Sequence, residues 1–260
     1  MQKKIPNYPI KILNKTLIIL EAFLNGKSDF LSIRELSEKL GIFPSTIHRI
    51  LDNLLYWGYI EHDPITKKYT LGLKTVKLGM AKLNNISVVK EANPYLKELV
   101  NECNETVHLG VIKDGEIFNL FMKESDQSIR MTSQLGRKFP IYATSLGKVF
   151  LAFLSSIERD NILNTLKFQK LTKDTIDNIQ DLEKELKKIK KQGFAINNGE
   201  TEKGIYCIAA PILNYHGNII AAISICGPFY RINKKKRVVL KNLVIETSKK
   251  ISNRLEYISL

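Results

Sequence analysis

Residues 32–60 read SIRELSEKLGIFPSTIHRILDNLLYWGYI, and two short helices separated by a sharp turn account for them. Ser32 followed three residues later by Glu35 is a capping-box signature that starts the first helix. Gly41 ends it, since glycine takes the left-handed conformation that a helix C-terminus needs. Pro44-Ser45-Thr46 opens the second helix, with proline tolerated in the first turn and hydroxyls available for capping. There Ile47, Ile50, Leu51 and Leu54 fall at i, i+3, i+4 and i+7 and make one apolar face. Ser45, His48, Arg49 and Asn53 lie off that face. This spacing predicts a helix-turn-helix with the second helix as reader. An ordinary αα-hairpin with a wet polar face has the same periodicity. The segment C-terminal to the second helix separates the two: Tyr59 to His62, a turn at Asp63-Pro64-Ile65-Thr66-Lys67, and Lys68 to Leu71 form a hairpin with a basic tip. A basic hairpin after the second helix is the winged variant, whose tip reaches phosphate or the minor groove.

The composition suits that reading. The 260 residues are enough for two domains, each with its own core, and 44% hydrophobic with 25% charged residues is a globular balance. A formal net charge of +14 favours a polyanionic partner, although RNA or anionic lipid would also answer to it. No run approaches about 18 apolar residues, so no membrane span is expected. The start, MQKKIPNYPIK, has lysines but no apolar stretch after them and is not a secretory signal. Cys103, Cys207 and Cys226 are odd in number and widely spaced, which fits a reducing cytoplasm better than a disulfide framework.

Residues 1–10 read as a loose arm and Ile12 to Leu24 as a helix packing under the reader. Residues 1–72 thus form a first domain. Leu73 to Val89 is helical in period despite Gly79 and Asn84-Asn85, and 73–90 reads as a linker helix or as a helix packed on the first domain. Residues 91–260 form a second domain. It opens with an amphipathic helix over Glu91 to Cys103, then strands over Thr106 to Lys113 and Glu116 to Lys123 around an Asp114-Gly115 turn. A short strand over Ile129 to Ser133 and a turn at Gly136 come next. Ala143 to Lys148 opens an apolar helix over Val149 to Leu154, and Asp177 to Gln192 is a charged helix closed by Gly193. Phe194 to Asn198, Ile205 to Leu213 and Ile219 to Cys226 read as strands, and Lys234 to Ile258 as a final helix.

Four segments, PSTIHRILDNLLYWGYI, ETVHLGV, IYATSLGKVFLAFL and GIYCIAAPILNYHGNIIAAISICGP, make the chain resemble an IclR-type transcriptional regulator over nearly its whole length. The resemblance implies an α+β protein: a winged helix-turn-helix, a linker helix and a GAF-like effector domain with a mostly antiparallel sheet. It also implies a homodimer or dimer of dimers on palindromic double-stranded promoter DNA, responding to a small organic acid.

Two groups of residues are candidates. For DNA, Ser45 and Thr46 suit phosphate at a helix start, and Arg49 can reach guanine N7 and O6. His48 suits a base, a phosphate or only solvent. Lys67, Lys68 and Arg34 add sequence-blind phosphate contacts, with solvated surface charge as the alternative. For an effector, Ala143 to Gly147, including Ser145, Leu146 and Gly147, puts small residues and backbone N–H groups at a helix start, an anion site needing no arginine. By resemblance the pocket adds an apolar wall of Met131, Phe139, Leu146 and Ile205, and polar contacts from Cys207 and Ser224. Asn197 stands where the family often has aspartate, and Cys226 where it has serine or another small residue. For Met131, Phe139 and Ile205 the alternative is ordinary core.

No catalytic residue, cofactor or metal is expected. Ser145 lacks the first glycine of a nucleophile elbow, Gly147-Lys148 lacks the spaced glycine of a phosphate loop, and the cysteines and histidines lack paired metal-ligand spacing. A hydrolase using Cys207 or Ser145, or a thiol-based redox sensor, is the alternative function; no two cysteines lie close together in sequence to favour the latter.

Overall fold

The computed structural model describes residues 7–24, 29–84, 87–113, 115–127 and 140–256. It divides into two compact units, one drawn from Gln2–Asn85 and the other from Ile86–Ser133 with Lys138–Leu260.

The first unit contains α1 (Lys11–Ala22), α2 (Ile33–Leu40), α3 (Pro44–Tyr56), β1 (Ile60–His62), β2 (Tyr69–Leu71) and α4 (Leu73–Asn84). Both halves of the capping box form at Ser32 and Glu35, and Gly41 ends α2 at φ +65°. The start of α3 departs from expectation. Phe43 holds the N-cap position without a side-chain cap, Pro44 is the first helical residue, and Ser45 and Thr46 lie inside the helix. Burial of Ile47, Ile50, Leu51 and Leu54 sustains it. At about 1.5–3 kcal/mol per buried side chain, this exceeds the roughly 1 kcal/mol that a missing cap forgoes. These four join Ile19, Leu36 and Ile60 in one core. β1 and β2 pair antiparallel from Ile60↔Leu71 to His62↔Tyr69, giving the expected wing. Lys68 Nζ lies 3.0 Å from Glu35, so the wing is fastened to the cap of α2.

The second unit begins with α5, Ser87–Cys103, four residues earlier than the expected Glu91, and keeps Pro94 inside the helix. The reason is its buried stripe: Val88, Ala92, Leu96, Leu99, Val100 and Cys103 all join the same core, and that burial offsets the proline's lost hydrogen bond. The remaining elements are β3 (Thr106–Lys113), β4 (Glu116–Lys123), α6 (Ser145–Phe153), α7 (Ser156–Leu163), α8 (Ile179–Gln192), β5 (Ala195–Asn198), β6 (Ile205–Leu213), β7 (Ile219–Pro228) and α9 (Lys234–Glu256). The five strands form one antiparallel sheet, ordered β4-β3-β7-β6-β5. α5 and α9 cover one face through Leu96, Leu99, Leu240 and Val244, packed on Tyr206, Ile208 and Ile225. α6 and α8 cover the other through Val149, Phe150, Leu182 and Ile189, packed on Ala195, Ala209 and Ala222. Because both faces are covered, β6 is one continuous apolar run. The expected strand over Ile129 to Ser133, the turn at Gly136 and Asp114 of the first hairpin lie outside the described residues.

Two ionic features invite measurement. The Glu35 carboxylate is pulled down to about 2 by hydrogen bonds from the Ser32 amide, then the Ser32 hydroxyl, then Lys68. A depressed carboxylate stabilises the fold above its unfolded pKa, and that contribution is lost as pH falls through the folded value. Thermal melts of Glu35→Gln should therefore show a flatter pH dependence than the native chain between the ordinary value of 4.5 and about 2; parallel curves would contradict this. In the second unit Glu105, fully buried, accepts from Arg231 at 2.8 and 2.6 Å and from Lys236 at 2.6 Å, tying the start of β3 to the loop before α9 and to the first turn of α9. Glu105→Ala strands both cations and should cost about 3 kcal/mol in urea unfolding, with Glu105→Gln losing less. Equal stability of all three proteins would contradict it.

Candidate functional site

On the first unit, Ser45, His48 and Arg49 are exposed on α3 and Thr46 is half-buried. Asn53 turns its amide back onto the Arg49 carbonyl at 2.8 Å, which leaves Arg49 as the long donor on this surface of α3. Its five N–H groups in a fork match paired acceptors. The basic residues around it are not equivalent. Lys67 is exposed at the wing tip, in a left-handed conformation (φ +58°), while Asp63 holds the turn by accepting from the Ile65 amide and Thr66 hydroxyl. Lys68 is half-buried and spent on Glu35, and Arg34 bonds Glu38 at 2.9 Å one turn along α2.

On the second unit, strand register assembles a site that linear spacing conceals. Thr106, Cys226, Cys207 and Asn197 are successive register partners across β3, β7, β6 and β5. His108, Ser224, Ala209 and Ala195 form the next row. Side chains two apart on a strand share a face, so both rows lie on the face that α6 covers. The result is a polar patch in an otherwise apolar sheet, with Ile205 packed against Cys207 and Cys226 at its margin. Sequence reasoning does not single out His108 and Thr106 as site residues; the signal that could find them is polar residues at alternate positions of an apolar strand.

The first turn of α6 lies beside this patch. Leu146 lies against Gly110, two residues along β3 from His108; a Cβ on Gly110 would sit 3.5 Å from its methyl carbon. Ala143, Ser145, Leu146 and Gly147 are all buried. Thr144 caps the helix by accepting from the Gly147 amide at 2.9 Å, and its carbonyl takes the Lys148 amide at 3.0 Å. Among the described residues the amides of Ser145 and Leu146 carry no such bond, so two of the expected N–H groups remain for a ligand. Gly147 is required by approach: a Cβ there would lie 1.9 Å from the Ile141 carbonyl oxygen.

The charge of Lys148 is not available to a ligand, since it is buried in an ion pair with Glu200. One Glu200 oxygen, Oε2, has no hydrogen-bond partner among the described residues, and burial pushes this carboxyl above its usual range. Asn197 is largely committed too. Its oxygen accepts from the Glu200 amide and its nitrogen donates to Thr201, both at 2.8 Å, so it shapes the turn after β5. Cys207 and Cys226 stand directly opposite each other across β6 and β7. The neighbouring Cys207 thiol holds the Cys226 thiol well below the ordinary range, with His108 and Ser224 adding to it, while Cys226 and burial raise Cys207 well above. Met131 and Phe139 lie outside the described residues. No group of three or more His, Cys, Asp or Glu among the described residues could hold a metal ion, and no helix there is long and apolar enough to cross a membrane.

Comparison with known proteins gives a family. The family model described as "Bacterial transcriptional regulator IclR C-terminal" matches residues 80–253, and "IclR helix-turn-helix domain" matches 13–64. The Escherichia coli HTH-type transcriptional regulator KdgR is 31% identical over 94% of this chain and 92% of its own. XynR from the same organism is 29% identical over 95% and 98%. Both are named as transcriptional regulators, in agreement with reading the chain as no enzyme. The Thermotoga maritima IclR structure superposes with a TM-score of 0.76 at 30% identity, covering 95% of this chain and 99% of that one. An IclR homologue from Microbacterium hydrocarbonoxydans, complexed with 4-hydroxybenzoate, shares the fold at a TM-score of 0.81 and 21% identity, covering 95% and 99%. With a winged helix-turn-helix followed by a helix-flanked antiparallel sheet, and with matches along both units, the chain belongs to the IclR family of bacterial transcriptional regulators.

Proposed function

We propose that this regulator reads double-stranded promoter DNA with α3 and the wing, and that a small organic acid bound at the patch beside α6 changes its operator affinity. Residues 1–72 form the reading domain, 73–90 the connection, and 91–260 the sensing and oligomerising domain. The protein works in the cytoplasm, a reducing compartment that suits three free buried cysteines. A homodimer or dimer of dimers presents paired reading helices to half-sites about one helical turn apart.

The observation that carries the DNA reading is the exposed start of α3, with Arg49 as its one long donor. Ser45 bonds phosphate with help from the helix dipole, Thr46 and His48 lie alongside, and Lys67 adds a sequence-blind contact. Arg34 and Lys68, already paired with carboxylates, contribute less than their charge suggests. For the effector, the amides of Ser145 and Leu146 grip a carboxylate at the positive end of α6. Ser224, Cys226, Cys207 and His108 meet the remainder of the ligand, and Ile205 lies against its apolar part. Ala143 and Gly147 let the chain approach, and Asn197 holds the turn.

A duplex selected from a random pool by the native chain tests the first half. Arg49→Ala should cut preference for that duplex over random DNA by about 1–3 kcal/mol, whereas Lys67→Ala should weaken binding to both and lower the salt slope by roughly one. Identical behaviour of the two variants in band-shift titrations would refute the assignment. The second half is a linkage. A carboxylate found by thermal-shift screening of small, keto and aromatic acids should alter affinity for the duplex by about 5–150-fold, and the duplex should alter affinity for that acid by the same factor. An acid that binds equally well with and without the duplex would eliminate this mechanism.

A further inference from the structure

Cys207 and Cys226 are 19 residues apart in sequence but face each other directly across β6 and β7. Residues directly opposite in an antiparallel pair have Cα atoms about 4.5–5.5 Å apart, inside the roughly 4.4–6.8 Å window that a disulfide spans. The two side chains share one face of the sheet and one small cluster, and both thiols are free. They sit with Ile205 in a small cluster of their own, apart from the two larger cores of this unit. The Ser224 hydroxyl lies 3.9 Å from the Cys226 sulfur, and His108 is the register partner of Ser224 in the adjoining row. Two thiols directly opposite each other, with a hydroxyl on one of them and an imidazole in the next row, are more than two inert core cysteines require.

We infer that Cys207 and Cys226 are a redox modification site, which a peroxide closes to a cross-strand disulfide and a dithiol reopens, switching the pocket beside α6 and thereby DNA affinity. The chemistry stands on the cysteine pair alone; the effect on DNA rests on the proposed function. Cys226 is the attacking sulfur, because the Ser224 hydroxyl lies 3.9 Å from it and His108 stands in the adjoining row, polar neighbours that favour a thiolate there. The thiolate attacks the distal peroxide oxygen: an S–O bond forms, the O–O bond breaks, and the proton released by Cys226 ends on the departing oxygen as water or an alcohol. The Cys207 sulfur then attacks the sulfenic acid, an S–S bond forms, the S–O bond breaks, and water leaves with the Cys207 proton. The two sulfurs lose two electrons and the peroxide gains them. Cys103 is excluded by its surroundings: it lies in the α5 and α9 core, and burial pushes its thiol up to about 11. The disulfide would replace two thiols in the polar row by one bridge with no S–H, removing donors from the face that α6 covers.

The test uses the full-length reduced protein, hydrogen peroxide and thiol counting under denaturing conditions. The native chain should fall from three thiols to one, peptide mapping should join the segments holding Cys207 and Cys226, and dithiothreitol should restore all three. Cys103→Ser should fall from two thiols to none, and His108→Gln should slow the loss several-fold. Oxidised native protein should bind the selected duplex with an affinity changed at least fivefold, while Cys226→Ser should show no change with peroxide. Three thiols after treatment, a bridge involving Cys103, or oxidation to sulfinic acid without a bridge would overturn the site. A 207–226 bridge that leaves duplex affinity unchanged would overturn the switch. Failure of the reduced protein to bind any duplex would instead refute the proposed function, and the thiol counts would still decide the chemistry.

Discussion

The register between β6 and β7 is the constraint on which the second unit depends. Side chains alternate across a strand, so a slip of one residue would send Cys207 and Ala209 to the face covered by α9, and would bring Tyr206 and Ile208 under α6. The slip is opposed from both sides. On the α9 face Ile208 and Ile225 stand opposite each other in a fully buried core, and on the α6 face Ala209 and Ala222 are small enough for a helix to lie close. β3 on the far side of β7 extends the same register to Thr106 and His108. The polar patch is thus a by-product of hydrophobic packing: its residues come together from four strands because apolar residues elsewhere fix where each strand must sit.

The electrostatics of the chain look different once each charge is traced to its partner. A surplus of fourteen positive charges says that a polyanion would be attracted, and says nothing about where. Arg231 and Lys236 close on Glu105 and Lys148 closes on Glu200, so these cations are structural. Arg34 and Lys68 are partly occupied at the surface. Around α3, Arg49 and Lys67 stay exposed, and the proposed function gives the selective contact to the first and the unselective one to the second. Lys148, closed on Glu200, is no anchor for an anion, and the proposed site relies on backbone amides at the start of α6 instead. An amide site is neutral before the ligand arrives and needs no buried countercharge, which suits a ligand that must also leave.

Local signals are legible in the sequence. The Ser32–Glu35 box, Gly41, the apolar stripe of α3 and the limits of β3, β4 and β6 can all be read there, because each rests on spacing over a short stretch of chain. What depends on the rest of the fold cannot. The expected helix starts at Glu91, whereas α5 starts at Ser87 and carries Pro94 in its interior; only packing onto β3 and α9 shows why the helix runs through it. α7 carries its own capping box at Ser155 and Glu158, yet it buries no residue, so no apolar period announces it. Asn197 draws notice for its missing charge, whereas its amide serves the turn after β5. The contact between Cys207 and Cys226 is invisible in the linear chain because proximity across a sheet is a matter of register, not of spacing.

Sensing requires that two strand-assembled polar rows and the first turn of α6 make one ligand site. A crystal structure of the full chain with a carboxylate taken from the thermal-shift screen tests this most directly. The carboxylate should lie within hydrogen-bonding distance of the Ser145 and Leu146 amides, with the rest of the ligand over Ser224, Cys226 and His108. A ligand seated instead in the groove lined by Lys188, Arg237 and Lys241 on the other side of β5, with the patch empty, would contradict it.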